Sequence, residues 1–151
     1  MKILMMRHGI ASFSSDDFHR PLTDEGIEGV RRSAEKLLVQ GGHIPEKIFA
    51  SPLLRAQQTA EVVKQTLKLN RPIETLELIK PESDIKEFVS FLEAHSEEEG
   101  CLIITHQPFV GLVLDYLTGD EEFMDTAEIN CVTISSFSRG GGDQEWRIKS
   151  Y

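Results

Sequence analysis

The first apolar run of the chain, Ile3 to Met6, is short, unbroken and flanked by Lys2 and Arg7. A continuous run of this length predicts a strand covered on both faces. From Thr23 the spacing changes to threes and fours. Ile27, Val30, Ala34, Leu37 and Leu38 then share one face of a helix, with Thr23 placed to cap it and Gly41-Gly42 to stop it. Lys47 to Ala50 reads as a second strand, and Ser51-Pro52 opens a helix with Ser at the N-cap and Pro at the first helical position. Its apolar face runs through Ala56, Ala60, Val63 and Leu67. A weaker strand, Ile73 to Leu76, precedes a helix from Asp84 to His95 marked by Ile85, Phe88, Val89 and Leu92, and the charged Ser96 to Gly100 after it is a solvated turn. Cys101 to Thr105 is another buried strand, leading into a helix from Pro108 to Leu117. Near Cys131 the pattern shifts: Val132 to Phe137 and Glu145 to Ile148 flank "SRGGGD", which predicts a C-terminal β-hairpin. Three or four β-α units and a hairpin predict an α/β fold, three layers in α/β/α order around a mostly parallel central sheet.

At 151 residues the chain fits a single domain, residues 1–151, able to bury a full core without disulfides or metals. The formal charge of -9 argues against a nucleic-acid partner or an anionic membrane surface, both of which reward clustered Lys and Arg. An anionic substrate must therefore be attracted locally. Cys101 and Cys131 are too few for a disulfide framework and read as buried, reduced thiols. The N-terminal apolar run is too short for a signal peptide, and no stretch approaches the ~20 apolar residues of a membrane span, so a cytoplasmic protein is expected.

In open α/β sheets ligands gather beyond the carboxyl ends of the strands. Three such ends carry chemistry: Arg7-His8-Gly9, Ser51-Pro52 with Arg55 in the following helical turn, and Thr105-His106-Gln107-Pro108. Gly9 reads as the residue that lets the chain turn away without obstruction. A cation in the first turn of a helix opposes the helix dipole, so Arg55 alone reads as an exposed residue indifferent to it. With Arg7 and two histidines for company, Arg55 and the helix amides read as an anion site. His106 alone is a structural or capping residue, but "LIITHQP" repeats the grammar of "LMMRHG", a buried strand delivering a histidine. Metal is the competing use for paired histidines. The chain has five, His8, His19, His43, His95 and His106, with no HExxH, HxH or Cys-x-x-Cys spacing, and zinc would not sit beside two arginines. No metal is expected, and His19, His43 and His95 read as solvated surface residues.

Two arginines and two imidazoles suit a phosphoryl group, whose charge is spread over three oxygens during transfer. Guanidinium groups match those oxygens with paired, charge-assisted hydrogen bonds. A neutral imidazole can attack phosphorus and hold the group as a phosphohistidine. The other imidazole, protonated, would neutralise developing charge.

These residues also carry a family likeness. "RHG", "SPLLRAQQTAE" and "THQPFVG", in order after three strands, resemble the histidine phosphatase superfamily, the phosphoglycerate mutase-like enzymes. Small size and "RPLT" at Arg20 to Thr23 make the chain similar, over nearly its whole length, to SixA-type phosphohistidine phosphatases. The resemblance implies His8 as the phosphorylated nucleophile, Arg7 and Arg55 on the phosphoryl oxygens, and His106 completing the site. It further implies Arg20 and Gln107 as substrate-binding residues, with no metal and no nucleotide cofactor. Larger relatives place an acid after the third strand in an L-x-E pattern; here Leu76-Glu77-Leu78 puts a Leu at that position. Glu77, Glu82 and Asp84 are nearby substitutes, or else solvated loop carboxylates. A missing acid favours phosphohistidine over a phosphate ester, because a protonated imidazole leaves readily whereas an alkoxide gains about 10² to 10⁴ in rate from a positioned acid. The short loop from Gly9 to Pro21 has little room for a lid, and an open groove suits a phosphorylated protein surface. A phosphohistidine-bearing protein is thus the expected partner of a monomeric phosphatase. A small-molecule phosphomonoesterase and a non-catalytic phosphate-recognising module are the alternatives.

Overall fold

The structure, a computed structural model, describes residues 1–40, 42–98 and 100–151. Six strands form one sheet: β1 (Lys2–Arg7), β2 (Lys47–Ala50), β3 (Glu74–Thr75), β4 (Cys101–Thr105), β5 (Ile129–Ile134) and β6 (Gly142–Ile148), in spatial order β3-β2-β4-β1-β5-β6. The pairs β3/β2, β2/β4 and β4/β1 are parallel, whereas β1/β5 and the hairpin β5/β6 are antiparallel. Among the described residues four α-helices complete the fold: α1 (Asp24–Gln40), α2 (Leu54–Leu67), α3 (Ile85–Ala94) and α4 (Phe109–Thr118).

The unbroken apolar runs are explained by the two cores. Leu4 and Met6 of β1 and Leu102 and Ile104 of β4 pack with Val30, Ala34 and Leu37 of α1 and Ala56, Ala60 and Val63 of α2. Ile3, Met5, Cys101 and Ile103 face the other way, onto Phe88 and Leu92 of α3 and Phe109, Val113 and Leu117 of α4. With helices on both faces, every position of β4 is buried, as the three-layer expectation requires. Each fully buried Leu, Ile or Phe contributes roughly 1.5–3 kcal/mol of transfer free energy. Both cysteines are buried and free, and burial pushes each thiol up to about 11.

The expected boundaries hold in some places and move in others. The Thr23 hydroxyl accepts the Gly26 amide at 2.9 Å, so Thr23 caps α1 as expected, while the Gly41 half of the Gly41-Gly42 stop lies outside the described residues. Asp84 caps α3, its Oδ1 accepting Lys86 N at 2.8 Å and Glu87 N at 3.1 Å. Ser51-Pro52 does not open α2: the helix starts three residues later, with Leu53 at the cap position and no side-chain cap bond. The Ser51 hydroxyl that would have capped a helix there is engaged by His106 Nε2 at 2.7 Å instead. The strand near Ile73 to Leu76 shrinks to the two exposed residues of β3. In the hairpin, β5 begins at Ile129 and ends at Ile134, several residues ahead of the expected Val132 to Phe137.

The sheet order sets the site. Arg7 pairs with Thr105 across β1 and β4, and Ala50 pairs with Ile104 across β2 and β4, so the residues following all three strands emerge side by side. Two backbone bonds extend the ladder past the sheet: His8 N to Thr105 O at 3.1 Å and Ser51 N to Ile104 O at 3.1 Å.

Candidate active site

His8, Arg55 and His106 converge at this edge, all buried, with Arg7 beside them. The His8 Nδ1 lies 2.7 Å from the Gly9 carbonyl, an acceptor, so this nitrogen carries the ring proton and donates it. Nε2 carries the ring's lone pair, which accepts a hydrogen bond from the Arg55 Nε at 3.3 Å. The His8 and His106 rings stand 5.1 Å apart, centre to centre.

Two further bonds fix this arrangement. The Gly9 amide donates to Thr59 Oγ1 at 3.1 Å, and that hydroxyl donates to the Arg55 carbonyl at 2.7 Å, tying the β1 loop to α2. A Cβ at Gly9 would come within 2.7 Å of Val30 and 2.9 Å of the Gly26 carbonyl, so glycine is required there for contact with α1 and not for clearance around a ligand. Arg7 donates from Nη1 to the Met124 carbonyl at 2.9 Å, and its guanidinium lies 5.2 Å from the centre of the Phe123 ring.

His106 is held by a residue the sequence reading had used as a helix cap. Ser51 Oγ lies 2.7 Å from His106 Nε2 and accepts the Leu53 amide at 3.3 Å. The Ser51 hydroxyl hydrogen is not used in the Leu53 bond and can donate to Nε2, the arrangement in which the imidazole proton sits on Nδ1. That Nδ1 and the Arg7 Nε are buried without a hydrogen-bond partner among the described residues. Unmade bonds of this kind cost about 1–3 kcal/mol each, and the oxygens of a phosphoryl group can accept both.

Burial pushes the His8 imidazole down to about 4; the Gly9 bond works against this, and the charges of Arg55, Arg7 and Arg20 add to it. His106 is pushed down to about 2 by burial, then by His8, Arg55 and Arg7. Both rings are neutral at pH 7. This suits His8 as a nucleophile, and His106, expected in protonated form, meets an incoming phosphoryl group as a neutral ring, because burial and the neighbouring arginines disfavour the second proton.

Arg20 stands at the rim, its Nε donating to the Ser12 carbonyl at 2.8 Å and its Nη1 to Asp17 Oδ1 at 3.2 Å. Asp17, which the sequence reading did not single out, also meets Arg55: its carbonyl accepts Nη1 at 2.8 Å and its Oδ2 accepts Nη2 at 3.4 Å. Gln107 turns toward the loop that holds Arg7, its Oε1 accepting the Met124 amide at 3.2 Å. Of the acids weighed as proton donors, Asp84 is taken by the α3 cap, Glu77 pairs with Lys80 at 3.2 Å on the surface, and Glu82 lines a shallow groove with Asp17, Phe18 and Lys80. His19 is exposed and bonded to Asp16, while His43 and His95 are half-buried and not the solvated residues expected; His95 Nδ1 bonds to the Phe91 carbonyl at 2.8 Å. Among the described residues no group of three or more His, Cys, Asp or Glu is arranged to hold a metal ion, and no helix is long and apolar enough to cross a membrane.

The chain is also similar to known proteins. The chain is 35% identical over 153 residues to "Phosphohistidine phosphatase SixA" of Escherichia coli K12, covering 98% of this chain and 93% of that protein. It is 30% identical over 131 residues to a "Phosphohistidine phosphatase SixA homolog" of Haemophilus influenzae, covering 79% and 78%. A solved structure of the protein histidine phosphatase SixA complexed with tungstate superposes with a TM-score of 0.89 at 32% identity, covering 99% of this chain and 97% of that one. A solved structure described as "the putative phosphohistidine phosphatase SixA from Agrobacterium tumefaciens" shares the fold at a TM-score of 0.82 and 16% identity, covering 97% and 96%. The family model of the histidine phosphatase superfamily (branch 1) matches residues 3–80, more than half of the sequence. On these matches, the chain belongs to the histidine phosphatase superfamily (branch 1).

Proposed function

We propose that this protein removes the phosphoryl group from a phosphorylated histidine of another protein, through a covalent phosphohistidine on His8. One observation carries the reading: the His8 proton is held on Nδ1 by the Gly9 carbonyl at 2.7 Å, leaving Nε2 as a neutral nucleophile 3.3 Å from the Arg55 guanidinium. Arg7 and Arg55 bind the phosphoryl oxygens, and His106 Nδ1 donates to the same group. His8 Nε2 attacks phosphorus as the substrate's P–N bond breaks. Water then cleaves the His8 phosphoryl bond, the electron pair returns to Nε2, and inorganic phosphate leaves.

A protein substrate is supported by the rim. Phe13, Phe18 and Phe123 are exposed on the loops that carry Ser12, Asp17 and the contact to Arg7. Aromatic rings around a cationic floor fit a folded surface better than a small hydrophilic phosphate. The segment from Gly9 to Pro21 is tied at its base by Ser12 N to Pro21 O at 2.8 Å and Thr23 N to Ile10 O at 3.0 Å, so it lines the site as a short wall. The similarity to a protein named phosphohistidine phosphatase SixA points the same way. Residues 1–151 act as one domain, as a monomer in the cytoplasm, on a phosphotransfer or carrier protein of a signalling pathway.

The test is turnover. Phosphate release from a phosphohistidine-bearing phosphotransfer domain should exceed release from 3-phosphoglycerate by orders of magnitude in kcat/KM. Faster turnover of the small ester, or no acceleration over His8→Ala on the phosphoprotein, would contradict the reading.

A further inference from the structure

Asp17 is out of place for a phosphate site. Its side chain is 66% exposed and sits over the Arg55 side chain, which is 6% exposed, so a carboxylate stands at the mouth of a cationic pocket. Its two oxygens meet Arg20 Nη1 at 3.2 Å and Arg55 Nη2 at 3.4 Å. Burial pushes this carboxyl up, but the bonds and charges of Arg20 and Arg55 outweigh it and hold the group below its ordinary range. At neutral pH it is an anion and has no proton to give to a leaving group.

Such an anion opposes the departure of an ester oxygen, which takes on negative charge as the P–O bond breaks. It assists a different leaving group. In a phosphorylated imidazole the phosphoryl group sits on one ring nitrogen, and the reactive form carries a proton on the other, giving the ring a positive charge. When His8 Nε2 attacks, the P–N electron pair passes to the leaving nitrogen and the ring departs as neutral imidazole with its distal N–H still in place. No proton is transferred to it in this step. What that step needs is an acceptor that favours the distal N–H. His8 already has one, because the Gly9 carbonyl holds its Nδ1–H at 2.7 Å while Nε2 gains and later loses the phosphoryl group.

We infer that Asp17 does for the substrate's imidazole what Gly9 does for His8: its carboxylate accepts the hydrogen bond of the distal ring N–H, and it thereby selects phosphohistidine over phosphate esters. The inference rests on the phosphohistidine reading above. It also explains how the reaction proceeds with a Leu at the expected acid position after β3.

The variant is Asp17→Asn, which keeps the backbone carbonyl that bonds Arg55 Nη1 at 2.8 Å and removes the charge. The probes are phosphoimidazole and p-nitrophenyl phosphate, with wild type run first on both. Charge-assisted hydrogen bonds are about twice as strong as neutral ones, so kcat/KM for phosphoimidazole should fall at least about 10-fold. For p-nitrophenyl phosphate it should rise, because the repulsion of the developing phenolate is gone. Asp17→Glu should move both values back toward wild type. A parallel fall on both substrates would make Asp17 only a brace for Arg55, a parallel rise would make it only a competitor for the arginines, and no change on either would leave it without a part in the reaction; each result overturns the inference. If wild type fails to cleave phosphoimidazole faster than His8→Ala, the phosphohistidine reading itself has failed.

Discussion

The two histidines of the site set a cost that titration exposes. His8, ordinarily near 6.5, is pushed down to about 4, which corresponds to about 3 kcal/mol of preference for the neutral ring in the folded state. His106 is pushed further, to about 2. Because both folded values lie below the unfolded one, the unfolded chain takes up protons that the folded chain refuses as pH falls below 6.5. Stability is therefore complete above that value and is lost as pH falls, down to about 4 for His8 and about 2 for His106. Between pH 7 and pH 5 each histidine should remove about 2 kcal/mol. Urea midpoints at the two pH values should show this, and His106→Asn should shrink the difference by about half; an unchanged difference would mean that His106 is not held neutral. Pairing of this kind is invisible to a sequence. Ser51 read as a helix cap because a serine before a helix normally is one, and nothing in its position signals that its hydroxyl serves His106 across β4. Asp17 was equally hidden, since a carboxylate in a polar loop reads as solvated until two arginines are found on it.

At the level of elements, contact between α1 and the loop after β1 depends on two glycines facing each other. A Cβ on Gly26 would approach the Ile10 carbonyl to 2.1 Å, a distance backbone cannot absorb without moving. Gly26→Ala should therefore cost about 1–3 kcal/mol, despite alanine's better helix propensity, and should lower activity by shifting the loop that carries His8. A urea midpoint equal to wild type would show that α1 and the loop are not so closely joined. The strands were the most legible part of the sequence, since β1 and β4 are covered on both faces and their apolar runs have no competing reading. The hairpin was less so: Glu128 and Asn130 are fully buried at the start of β5, and polar residues there masked the strand. Arg147 makes the burial of Glu128 tolerable, its Nη2 donating to Oε2 at 2.9 Å, a pairing between distant residues that no local pattern reveals.

For the whole molecule, the site is a local exception to the charge of the chain. With a formal charge of -9 the protein repels anions at a distance, and screening confines that repulsion to roughly 8 Å at physiological ionic strength. Within that range Arg7, at the end of β1, Arg20, in the loop that follows it, and Arg55, in the first turn after β2, dominate, brought together with His106 by the order of β2, β4 and β1 in the sheet. The motifs behind this gathering were legible because each follows a strand; the site's acid and its tautomer-fixing serine were not, because they act through contacts between elements. Transfer of the phosphoryl group to His8 Nε2 is the central step of the proposed reaction. Rapid quenching of the enzyme with a ³²P-labelled phosphohistidine protein, followed by peptide mapping, tests this directly. The expected result is a burst of acid-labile, alkali-stable phosphate on the peptide containing His8, absent from His8→Ala; turnover with no label on that peptide would overturn the mechanism.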